Sequence, residues 1–236
     1  MTLTDPGAVP QRFAGPPDTT NGGYVAGLLA TRLPGEGFVT VRLAAPCPLD
    51  TPLTVATDGT DATLWHGEAA VARAAPATHD DGPLEPVDPA SYDEAVLATA
   101  RYRGRTGNPF PGCFVCGPER TPGDGMRLEP GEIRPQTVAT PWVPDDSLGD
   151  GGRVPEEFVW AALDCPGAWT LDLAGRPILL GTITGHVDER PYVGDRCVVM
   201  GRFEGTEGRK TYTTTTAYDG DGRVLGRARH VWIQPR

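Results

Sequence analysis

The chain has 236 residues and a mass of 25.0 kDa, room for one large unit or two small intimate ones. With 31 Gly and 25 Pro set against 39% apolar residues, it reads as many short elements joined by turns, around a real core. A net charge of −10 and a pI near 4.8 exclude a nucleic-acid partner. The two serines, Ser91 and Ser147, exclude a G-x-S-x-G hydrolase, and phosphate-loop, H-E-x-x-H and dinucleotide fingerprints are missing.

The start, Met1 to Arg12, has no apolar export region, and no stretch is long enough to span a membrane. Five cysteines without an export signal read as free thiols, so a cytoplasmic protein with no membrane partner is expected. In the first half, Asn21 is a good cap for a helix from Gly22 to about Ala30, with Tyr24, Val25, Leu28 and Leu29 as its apolar stripe and Pro34 as its stop. Strands follow at Phe38–Ala45, Leu53–Thr57, Ala62–Trp65 and Glu68–Ala74. Residues 76–111 form a polar, Pro-rich linker, in which His79 is expected in solvent.

The second half repeats the plan. Pro155 is suited to the first position of a helix and Glu156 and Glu157 to its positive end, with Phe158, Val159, Ala162 and Leu163 as the stripe. Pro166 should break or kink this helix after Cys165. Strands are expected at Leu179–Val187, Arg196–Phe203, Lys210–Tyr218 and Val224–Ile233, the last two joined by a turn at Asp219-Gly220-Asp221-Gly222. A helix followed by an antiparallel sheet, twice, predicts a duplicated α+β unit: residues 1–75 and 112–236, with their sheets joined edge to edge.

Three motifs carry a resemblance. The Asn21-Gly22-Gly23-Tyr24 helix start and the closing Tyr218-Asp219-Gly220-Asp221-Gly222-Arg223 hairpin are similar to parts of double-hotdog acyl-CoA thioesterases. Cys113-Phe114-Val115-Cys116-Gly117-Pro118, followed by Gly125-Met126-Arg127-Leu128, resembles the leading segment of many single-hotdog thioesterases. The resemblance implies a tandem hotdog that hydrolyses an acyl-CoA or acyl-carrier thioester with no metal or cofactor. A homodimer stays open. Other classes on this fold are non-catalytic acyl-binding proteins and dehydratases, the latter pairing His186 or His230 with Asp164.

Asp164 is the first candidate for chemistry. Around a helix of 3.6 residues per turn, Trp160 and Asp164 lie beside the apolar stripe, roughly 200° and 240° from Phe158. In a tandem hotdog this flank faces the other half. The resemblance implies that a helix acid activates water or attacks the carbonyl, while helix N-terminal N–H groups hold the oxyanion. Glu157 marks one such terminus about two turns before Asp164, and Asn21, Gly22 and Gly23 mark the other. The first helix holds no carboxylate from Tyr24 to Leu33, so a single working acid is expected.

Aligning Pro48 with Pro191 sets Val39, Val41 and Leu43 against Thr182, Thr184 and His186, an apolar strand face against a polar one. The resemblance pairs the helix acid with a Thr on this strand, Thr182 or Thr184, and with a Gln on the last strand, where this chain has His230. The Cys113-x-x-Cys116 pair has no second pair, so a four-ligand zinc site is not specified and the two are read as structural thiols. The run Arg101-Tyr102-Arg103-Gly104-Arg105 could meet the phosphates of coenzyme A or simply face water.

Overall fold

Alternating residues in both halves resolve into one antiparallel sheet in the computed structural model, which describes residues 2–35, 37–78 and 84–235. Its strands are β1 (Thr2–Ala8), β2 (Val39–Leu43), β3 (Pro52–Thr57), β4 (Ala62–His66), β5 (Ala69–Pro76), β6 (Gly131–Arg134), β7 (Thr137–Trp142), β8 (Leu179–Val187), β9 (Cys197–Glu207), β10 (Lys210–Tyr218) and β11 (Val224–Ile233). They form an 11-stranded sheet in the order β1-β3-β4-β5-β2-β8-β11-β10-β9-β7-β6. At its centre β2 and β8 pair antiparallel, from Val39 opposite Gly185 to Arg42 opposite Thr182. Each half thereby covers the strand edge the other would expose. Outward from this seam the order is β2, β5, β4, β3, β1 on one side and β8, β11, β10, β9, β7 on the other, with β6 added at the rim. The α+β tandem architecture with one continuous sheet is as expected. His79 lies outside the described residues.

Some elements were not anticipated. Strand β1 carries Pro6 and Gly7 at an irregularity between Thr4 and Gly7, which disguises it in sequence and suits its edge position. The stretch expected as a linker contains helix α2 (Tyr92–Ala98) and the short α3 (Gly104–Gly107). Helix α2 starts with a capping box between Ser91 and Glu94, a signal that was present in the sequence. Its Ala95 and Ala98 are buried in a small cluster with Val87, Ala139, Met200 and Tyr218. Among the described residues no helix is long and apolar enough to cross a membrane.

The remaining helices, α1 (Gly22–Ala30) and α4 (Glu156–Ala168), pack against each other on one face of the sheet. Asn21 caps α1, accepting from the Tyr24 N–H at 2.9 Å. Pro166 does not end α4, which runs on to Ala168. A proline inside a helix costs about 3 kcal/mol. Tertiary packing outweighs that here: Cys165, Gly167 and Ala168 are buried, and the Thr215 hydroxyl donates to the Leu163 carbonyl at 2.8 Å.

Close approach of the two helices needs glycine at Gly23 and Gly27. A Cβ on Gly23 would stand 2.5 Å from the Asp164 Cβ, and one on Gly27 would collide with the Glu157 backbone. Alanine normally gains about 1 kcal/mol over glycine in a helix. Backbone cannot step aside as a flexible side chain can, so Gly27→Ala is expected to destabilise the fold by about 1–3 kcal/mol. Urea denaturation would read this, and a variant as stable as wild type would contradict the helix contact.

Candidate active site

The flank of α4 that would face water in an isolated half faces the start of α1. Asp164 is consequently 3% exposed. Its Oδ2 accepts from Asn21 Nδ2 at 3.0 Å and from the Gly23 N–H at 2.9 Å. Asn21 serves both neighbours: its Oδ1 accepts the Tyr24 N–H, which turns its amide nitrogen toward Asp164. The other carboxylate oxygen, Oδ1, is buried and has no hydrogen-bond partner among the described residues. Burial pushes the Asp164 carboxyl up to about 7, although the Gly23 and Asn21 hydrogen bonds favour its charged form.

Asn21, Gly22 and Asp164 line a cavity of about 500 Å³. Its other walls are mostly apolar, with Val25, Leu43, Phe110, Leu180 and Trp232 among them, a balance typical of small-molecule sites. Gly22 is the first residue of α1, and among the described residues its N–H makes no hydrogen bond. It is thus an available donor at the positive end of a helix. Cys113, Cys116 and Cys165 form one wall, with the Cys113 and Cys165 sulfurs 3.7 Å apart. Hydrogen bonds from Cys116 and Cys165 hold the Cys113 thiol well below its usual value, and the contact with Cys113 pushes Cys165 up. Cys165 joining the Cys113-x-x-Cys116 pair was missed in the sequence, where it lies 52 residues from Cys113.

Thr182, Thr184 and His186 are not brought to this cavity. Ile183 is fully buried, and a Cβ on Gly185 would meet the Trp160 ring, so these two face the helices. Alternation turns Thr182, Thr184 and His186 to the opposite face. There the Thr184 hydroxyl meets that of Thr40 at 2.9 Å, and His186 Nδ1 lies 3.0 Å from the Gly37 carbonyl. The expected alignment was out of phase: Val41 shares the buried, helix-facing side with Ile183, its partner across the seam, and not with Thr182 or Thr184. A slip of one exchanges the faces of a whole strand.

Glu157 and Trp160 lie two turns and one turn before Asp164 on α4, pressed against Gly27 and Gly23 respectively, and neither lines the cavity. The helix end beside Asp164 is that of α1. His230 is on the helix-facing side of β11 but behind the cavity wall, 1% exposed. Its Nδ1 lies 3.3 Å from the Thr213 hydroxyl, which itself accepts from Trp232 Nε1 at 2.8 Å. Its Nε2 is buried and, among the described residues, meets no hydrogen-bond partner. Burial lowers the imidazole to about 4, against the Thr213 and Leu163 carbonyls, which favour its charged form. The arginine run is engaged locally, with Arg103 on Glu132 and Arg105 on Glu129, and Tyr102 is buried with its hydroxyl donating to the Cys116 carbonyl at 2.6 Å.

No family model and no curated protein matches the chain. Solved structures do. A tesB protein of Mycobacterium avium subspecies paratuberculosis is 13% identical, with a TM-score of 0.62 over 99% of this chain and 93% of that one. A candidate thioesterase from Novosphingobium aromaticivorans is 14% identical, with a TM-score of 0.63 over 99% and 95%. A conserved protein of unknown function with a hot dog fold from Alicyclobacillus acidocaldarius is 13% identical, with a TM-score of 0.61 over 100% and 96%. At these identities the likeness is one of fold. The chain has the tandem hot-dog fold.

Proposed function

We propose that this cavity hydrolyses a thioester of the acyl-CoA or acyl-carrier type, with a water activated by Asp164. One observation carries the reading: a buried carboxylate with one oxygen held by Asn21 and Gly23 and the other unpartnered, on the wall of a largely apolar cavity. The fold neighbour described as a candidate thioesterase supports the same class. The apolar walls would take the acyl chain, and the Gly22 N–H would receive the carbonyl oxygen. A water between Asp164 Oδ1 and the carbonyl carbon gives its proton to Asp164 as its oxygen attacks. When the tetrahedral intermediate collapses, the C–S bond breaks and the proton passes from Asp164 to the departing thiolate, leaving acid and thiol. A cytoplasmic setting goes with this reading, since all five cysteines are free thiols.

A second reading, a non-catalytic acyl-binding protein, draws on a different observation: Thr182, Thr184, His186 and His230 all lie off the cavity, so Asp164 would hold its water without them. A panel of short, long and aromatic acyl-CoA substrates with a thiol-detecting assay separates the two. Release of free thiol from at least one class is expected. Saturable binding of acyl-CoA without thiol release across the panel would favour the binder.

A further inference from the structure

We propose that Cys113, Cys116 and Cys165 together bind a zinc ion, which pins the segment before β6 to helix α4. The three sulfurs come from two separate parts of the chain, lie within 4.8 Å of one another and are all buried. Tetrahedral thiolates about 2.3 Å from zinc stand about 3.8 Å apart. The Cys113 and Cys165 sulfurs are 3.7 Å apart, so an ion fits between them with little movement.

The surroundings suit thiolates. Asn21 Nδ2 lies 3.9 Å from both the Cys113 and the Cys165 sulfur, and Asn108 Nδ2 lies 3.8 Å from that of Cys116. Amide donors aimed at ligating sulfurs are the outer support a metal–thiolate centre uses. Between the first two ligands the chain makes a tight turn, closed by the Gly117 N–H donating to the Cys113 carbonyl at 2.9 Å. Gly117 is needed there, because a Cβ would collide with the Pro111 and Cys113 backbone. The third ligand follows Asp164 directly on α4, so the ion would brace the helix turn that carries the proposed base. Soft, all-sulfur coordination favours zinc over hard cations. Three protein ligands leave a fourth position, here for a water from the cavity. Binding converts three thiols to thiolates and releases their protons to solvent.

The test uses the full chain purified under reducing conditions with zinc supplied, then dialysed against metal-free buffer. One zinc per chain is expected by elemental analysis. Cobalt in its place should give thiolate-to-metal charge-transfer absorption and tetrahedral visible bands. Zinc should also slow alkylation of Cys113, Cys116 and Cys165 at least tenfold in mass-mapped labelling, while Cys47 and Cys197, outside the cluster, change little. Cys165→Ala should reduce bound zinc to background. Should that variant fail to fold, the cobalt spectrum and thiol protection of the wild-type chain decide alone. Substoichiometric zinc with no cobalt–thiolate absorption would overturn the site. So would a Cys113–Cys165 disulfide that persists in the presence of reductant and zinc. None of these readouts depends on thioester hydrolysis, so they stand or fall separately from the proposed function.

Discussion

Asp164→Asn is expected to lower thioester turnover by ~10²–10⁴-fold, the usual contribution of a positioned general base. The loss should fall on kcat, with KM little changed, because the amide has nearly the shape of the carboxylate and leaves the apolar walls intact. Stability should hold or rise slightly. The replacement oxygen can still accept the Gly23 N–H, and removing a buried negative charge relieves a desolvation cost that two hydrogen bonds only partly offset. Steady-state kinetics on whichever acyl-CoA the chain hydrolyses, beside a thermal melt, would check both. Wild-type kcat in a folded Asp164→Asn protein would remove Asp164 from the chemistry.

His230 should make the fold acid-sensitive. Its imidazole is held at about 4 in the folded chain, against about 6.5 when unfolded. The unfolded state therefore takes up a proton first, and stability is lost as pH falls from about 6.5 toward 4. At about 1.4 kcal/mol per unit this amounts to about 3 kcal/mol. Asp164 acts in the opposite sense: a carboxyl raised to about 7 favours the fold at low pH and loses that contribution as pH rises. The two overlap, so the wild-type profile by itself is not diagnostic; the difference between wild type and His230→Gln is. Urea denaturation from pH 7 down to about 4.5 should show the variant losing less stability than wild type, whatever its starting stability. Parallel profiles would mean that His230 is protonated, or reached by water, in the folded state.

Much of the fold was legible locally. The cap at Asn21, the strands Leu179–Val187, Lys210–Tyr218 and Val224–Ile233, and the turn at Asp219–Gly222 depend on hydrogen bonds and periodicities within a few residues, which short windows report faithfully. The capping box at Ser91 and Glu94 is equally local, set within a Pro-rich stretch that otherwise reads as a linker. Strand β1 was hidden for a physical reason, since Pro6 and Gly7 are tolerated only because it lies at the sheet edge.

The candidate site divides along the same line. That Asp164 lies beside the apolar stripe of its helix follows from 3.6 residues per turn, and so was determined by the sequence alone. That this flank is buried, with the carboxylate on Asn21 and Gly23, was decided by α1 closing against α4 through Gly23 and Gly27, a contact between halves more than a hundred residues apart. The face taken by Thr182, Thr184 and His186 was likewise a tertiary matter. Strand parity holds only between bulges, and β8 has one at Gly181; its phase relative to another strand depends on loop lengths, and an odd slip turns a cavity wall into the far side of the sheet. Pro166 stayed helical, and Cys165 met Cys113 and Cys116, because the buried end of α4 gains more from packing than one missing hydrogen bond costs. Local rules describe what each segment can do; which partner it meets is settled by the closing of the whole sheet around its two helices.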